Sequence, residues 1–121
     1  MMKSYEWIQH RGKKILYMKI ASQTIEELKE RIDNIVPVVA KEPSKSILCI
    51  CDVLNGKFNP EMTQMLKDFT RHNEPYMKMT VVLGVEGLRK IIFNAVLTSN
   101  KRQNMMMKKT KQEALDYLAG L

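Results

Sequence analysis

Ser46-Ile47-Leu48-Cys49-Ile50-Cys51-Asp52 is a continuous apolar run, and Val53-Leu54-Asn55-Gly56-Lys57-Phe58-Asn59-Pro60 follows it directly. A half-exposed strand alternates apolar and polar residues, whereas a strand covered on both faces reads as an unbroken apolar run of this length. The second stretch is a loop ending on a helix start. Asn59 can cap free N–H groups, and Pro60 suits the first helical position. A buried strand, a short loop and a capped helix, in that order, indicate a parallel sheet with crossover helices.

The same grammar holds upstream. Ser4 to Gln9 reads as a strand, with Tyr5, Trp7 and Gln9 alternating against Glu6 and Ile8. In His10-Arg11-Gly12-Lys13, Gly12 supplies the positive φ of a tight turn. Ile15 to Ile20 is the return strand of a β-hairpin. Thr24 with Glu27 forms a capping box that opens a helix. Ile25, Leu28, Ile32, Ile35, Val36 and Val39 form its inner stripe, and Pro37 is expected to end or kink it.

Downstream, Met62, Met65, Leu66 and Phe69 make the next helix's inner stripe, which Asn73-Glu74-Pro75 stops. Tyr76 to Leu83 reads as a strand. Gly84-Val85-Glu86-Gly87 turns into a third main helix at about Glu86 to Ser99. Asn104 to Met107 is a short strand at the sheet edge. Thr110 with Glu113 is a second capping box, and the last helix runs to about Ala119 with Leu115 and Leu118 inward and Gly120 as its stop. The order is β-β-α-β-α-β-α-β-α. The expected fold is α/β, one domain over residues 1–121, with a mixed, mostly parallel sheet of about five strands and an N-terminal hairpin.

Composition excludes several classes. The chain has 121 residues, 45% apolar and 27% charged, as ordinary globular proteins do. No apolar run approaches the ~20 residues of a membrane-spanning helix, and the first residues lack the apolar stretch of a signal peptide. A cytoplasmic protein is expected. Cys49 and Cys51 would share one face of a strand, where a disulfide would be strained, so buried thiols are expected. Neither His10 nor His72 has zinc-ligand spacing to them, and no metal or other cofactor is expected.

The net charge of +7 is local. Arg89, Lys90, Lys101, Arg102, Lys108, Lys109 and Lys111 fall in residues 87–112, which contain no Asp or Glu. Elsewhere the charges cancel. Such a segment is either a patch for an acidic partner or a solvated surface. No aromatic residue follows Phe93 there to stack bases, and no nucleic-acid-binding motif is present, so nucleic acid is not the expected partner.

Two loops follow the carboxyl ends of strands, where such sheets place ligands. One contains Asp52, Asn55, Gly56, Lys57 and Phe58. The other contains Gly84, Glu86 and Gly87. Its glycines could present N–H groups to an anion, but Glu86 already satisfies the positive helix end and no Gly-Lys-Ser/Thr follows. No nucleophile–base or paired-carboxylate arrangement appears, so an enzyme is not expected. Asp52 fits a loop anchor better than an acid or base. In the third helix, Leu88, Ile91, Ile92, Ala95 and Val96 fall on one face. Phe93 and Leu97 fall on the other, flanked by Arg89 and Lys90. This second stripe is either a docking surface or is covered by the chain's last elements.

The strand ending in Asp52 with its Gly56 loop carries a family resemblance. His72-Asn73-Glu74-Pro75-Tyr76, Val82-Leu83-Gly84-Val85-Glu86-Gly87-Leu88-Arg89-Lys90, Phe93-Asn94-Ala95-Val96 and Thr110 to Leu118 carry the rest. Together they resemble the SpoIIAA-like proteins of the STAS/SEC14 type, relatives of the bacterial anti-sigma factor antagonists. The resemblance implies a non-enzymatic regulatory or protein-interaction module. Phosphorylatable members carry a serine in the loop after the central strand. Here no Ser or Thr lies between Ser46 and Thr63, which puts that switch in doubt. The SEC14 side implies an alternative, a carrier of a lipid or small apolar ligand, with some of the ten methionines lining an adaptable pocket. Homodimerisation stays open.

Overall fold

A computed structural model describes residues 4–57, 59–85, 90, 93–94 and 104–121. The chain starts with an antiparallel hairpin, β1 (Tyr5–His10) and β2 (Lys13–Lys19). His10 stands opposite Lys13, so Arg11 and Gly12 form a two-residue turn with φ of +50° and +80°. Positive φ at both positions gives the turn twist that matches paired strands, and glycine adopts it without steric cost.

The apolar run becomes β3 (Ile47–Asp52), the middle strand of the sheet. Beyond it lie β4 (Met77–Leu83) and β5 (Met105–Lys108), each parallel to its neighbour, in the spatial order β1-β2-β3-β4-β5. Three helices complete the described fold: α1 (Ile25–Ala40), α2 (Pro60–Asn73) and α3 (Lys111–Ala119). The expected α/β class, the hairpin and the order of the strands with the first, second and last helices are present. Most of the expected Glu86–Ser99 helix lies outside the described residues, although Lys90, Phe93 and Asn94 are helical.

Consecutive parallel strands joined by right-handed crossovers put their helices on one face. Accordingly α1 and α2 share a core with Leu16, Met18, Cys49, Cys51 and Val82. α3 covers the other face, where Ala114, Leu115 and Leu118 pack on Ile15, Tyr17, Ile50 and Val81. Both cysteines are buried on the α1–α2 face and no disulfide joins them.

The helix starts follow their caps. Thr24 Oγ1 accepts from the Glu27 N–H at 3.1 Å, Asn59 Oδ1 from Met62 at 2.8 Å, and Thr110 Oγ1 from Glu113 at 3.1 Å. Pro37 does not end α1, which continues to Ala40. Proline removes one N–H from the last turn, and both Pro37 and Asp33 face water, which can take the released carbonyl. Arg31 is an unforeseen buried residue on this helix. Its guanidinium donates to the Lys19 carbonyl at 3.0 Å and pairs with Glu27 at 3.4 Å.

Candidate functional site

The carboxyl end of β3 is held from every neighbouring segment. Asp52 Oδ1 accepts from the Leu54 N–H at 2.9 Å, and its other carboxylate oxygen accepts from the Tyr17 hydroxyl on β2. The Asp52 carbonyl accepts from Ile20 at 3.0 Å and Ala21 at 3.1 Å, and the Val53 N–H donates to Leu83 at 3.0 Å. Farther along, the Lys57 N–H donates to Ser22 at 2.8 Å, and the Gln23 side chain donates to the Asn55 carbonyl at 2.8 Å.

Two glycines allow this close fit. Gly84 has φ +85°, and a Cβ there would stand 2.5 Å from the Leu54 Cα. Gly56 is buried, and a Cβ there would stand 3.1 Å from the Ala21 Cα. The result is a backbone fixed on three sides that leaves the Leu54 side chain 53% exposed.

Asp52 is therefore a loop anchor, as its position predicts, with Tyr17 as a partner the sequence does not reveal. Burial pushes the Tyr17 hydroxyl well above the ordinary tyrosine range, and the adjacent Asp52 carboxylate adds to the effect. Tyr17 thus stays a neutral donor at physiological pH.

Beside this loop, the ends of β4 and β5 enclose a crevice of about 550 Å³. Gly84, Val85 and Met107 form its apolar wall, with Lys90, Lys108, Lys109 and Glu113 around them. Lys108 Nζ lies 5.1 Å from the Tyr117 ring, and Lys111 Nζ lies 4.4 Å from the Tyr17 ring. Cation–π contacts of this kind fix the two ammonium groups over rings that they also shield.

Asp52, Asn55, Gly56 and Lys57 belong to the anchored loop, Gly84 packs beneath it, and of these five only Gly84 lines the crevice. Gly56 acts by close backbone packing, because it is buried. Lys90 is exposed and lines the crevice. Phe93 departs from expectation: it is 8% exposed and belongs to the α1–α2 core. A phenyl ring removes more apolar area from water there than on a surface stripe. Phe58, Glu86, Gly87, Arg89 and Leu97 lie outside the described residues. Leu54 is a site residue that the sequence does not reveal, whereas Lys108 and Lys109 stand out there only as part of the basic segment. Period-two alternation could have placed Lys108 beside Leu83 once β4 and β5 were known to pair, but nothing local marks Leu54 as exposed.

No protein-family model and no curated protein matches this chain. Two solved structures resemble it in shape. One is an uncharacterized protein of the DUF3478 family with a SpoIIAA-like fold, from Shewanella loihica PV-4. It shows a TM-score of 0.73 and 13% identity over 94% of this chain and 91% of that one. The other is an anti-sigma-factor antagonist (STAS) domain protein from Planctomyces limnophilus, with a TM-score of 0.60 and 10% identity over 95% of this chain and 97% of that one. The chain therefore has the SpoIIAA-like, STAS-type fold that its strand and loop pattern resembles.

Proposed function

We propose that this chain is a non-enzymatic regulatory or protein-interaction module that works in the cytoplasm without the usual phosphorylatable serine in the loop after the central strand. The observation that carries the reading is the anchored loop presenting Leu54 to solvent. A backbone fixed before binding loses little entropy on association, and the exposed apolar Leu54, flanked by polar Asn55 and Lys57, offers a partner apolar area to bury. The absence of Ser and Thr from residues 47–62 leaves a kinase no hydroxyl in this loop. Among the described residues, the methionine-lined space by Met18, Phe69, Met77 and Met105 measures about 10 Å³, too little to carry an apolar ligand at that place.

The test is capture of binding proteins from the native cell by wild type, by Leu54→Asp and by Lys41→Glu, a control at the other end of the sheet. The same partner should be held by wild type and Lys41→Glu and lost by Leu54→Asp while all three remain folded. Retention of that partner by Leu54→Asp overturns the reading.

A further inference from the structure

We propose that the crevice between the ends of β4 and β5 binds an organic phosphate. Its phosphoryl group sits among Lys90, Lys108 and Lys109, and its apolar remainder lies against Val85 and Met107. Three lysines and one acidic residue, Glu113, belong to the described lining, with the Lys108 ammonium also 5.1 Å from the Tyr117 ring. Like charges brought together at a concave surface repel one another until a counter-ion enters, so the crevice concentrates anions.

Lysine acts as a point charge suited to a phosphoryl group, and unlike the planar arginine fork it imposes no bidentate geometry on the anion. The cations in the described lining are all lysines. The crevice, at about 550 Å³, also falls among small-molecule sites, which span roughly 300–1,000 Å³. It lies outside the carboxyl ends of parallel strands, the usual ligand position in such sheets. Inorganic phosphate would leave the apolar wall unused. Met107 is 37% exposed, and its flexible thioether can adapt to an organic group. This site needs neither Leu54 nor a protein partner, so it stands or falls apart from the interaction reading.

The experiment is a titration of isotope-labelled protein followed by NMR, with phenyl phosphate and inorganic phosphate as probes. Phenyl phosphate should give saturable shifts at the Gly84, Val85, Lys108 and Lys109 amides and bind several-fold more tightly than inorganic phosphate. The combined Lys90→Gln, Lys108→Gln, Lys109→Gln variant should weaken it by at least about tenfold, and 0.5 M salt should weaken it in wild type. Replacing Lys29, Lys41 and Lys78 by Gln removes the same charge from other exposed positions and should change affinity less than about twofold. Because Lys108 also packs on Tyr117, Lys90→Glu alone serves as a second variant that leaves this contact intact, and it should weaken binding several-fold. Equal weakening by the two triple variants, shifts that do not saturate, or equal affinity for the two probes each overturn the proposal.

Discussion

The two faces of the sheet are covered unequally. On one, α1 and α2 provide 16 and 14 residues of helix, and the side chains beneath them form an apolar core running from Leu16 and Ile35 to Phe69. On the other, the nine residues of α3 cover Ile15, Ile50 and Val81, and polar contacts gather where that helix begins. Tyr17 meets Asp52 there, and Lys111 and Lys108 lie over aromatic rings. The thickly covered face supplies stability. The thinly covered one leaves room for polar groups, and a crevice opens where its edge meets the carboxyl ends of the strands.

The most direct way to break this contrast is to remove comparable side chains from both faces. Phe69→Ala should cost about 4 kcal/mol, and Leu118→Ala about 2–3 kcal/mol because a short helix at the surface can collapse into the space. Urea midpoints at an unchanged slope measure both. An equal loss at Leu118 would make the faces equivalent, and a larger one would reverse the contrast. Next in size is Gly84→Ala, which forces a side chain into positive φ at about 1–3 kcal/mol and also displaces Leu54. Gly12→Ala is its control, because φ is again positive but no atom lies within 4 Å of the added Cβ. Gly84→Ala should lose stability and partner binding together, while Gly12→Ala should lose only a smaller amount of stability.

Much of this arrangement was legible in the sequence, because its determinants are local. The Thr24, Asn59 and Thr110 caps, the apolar run of β3 and the Gly12 turn each act within a few residues of themselves. The site was legible only as loops. Leu54 is exposed because Gly84, thirty residues away, packs under its backbone, and Tyr17 meets Asp52 only after β2 and β3 pair. Phe93 was misplaced for the same reason. Its helical spacing separates two apolar stripes, but which one meets the sheet is settled by tertiary packing.

Tyr17→Phe probes the polar part of the thin face. It should cost about 1 kcal/mol at neutral pH, since Asp52 keeps its Leu54 bond but loses the hydroxyl donor. The sign with pH follows from the raised Tyr17 pKa. The folded state holds this proton after the unfolded chain begins to release it, so the contribution is complete below the ordinary tyrosine value and is lost as pH rises beyond it. Stability of wild type should therefore fall toward that of Tyr17→Phe in alkali. Ultraviolet titration should show one phenolate held back in folded wild type and absent from the variant.

The smallest effect is expected at Asp116, which ties α3 to the hairpin turn. His10 Nε2 lies 2.8 Å from its Oδ1, Gln112 donates at 3.0 Å and Arg11 stands at 3.4 Å. The hydrogen bond with His10, followed by Gln112 and the Arg11 charge, holds the carboxyl below the usual carboxylate range. A depressed pKa means that the stabilisation is present above the ordinary carboxylate value and is lost as pH falls through the folded one. Asp116→Asn should therefore lower the urea midpoint slightly at neutral pH, converge with wild type in acid, and differ less at high salt because the cluster is partly exposed. If the difference persisted in acid, α3 would be pinned by the shape of its contacts and not by this charge, and the thin face would depend on packing as the thick one does.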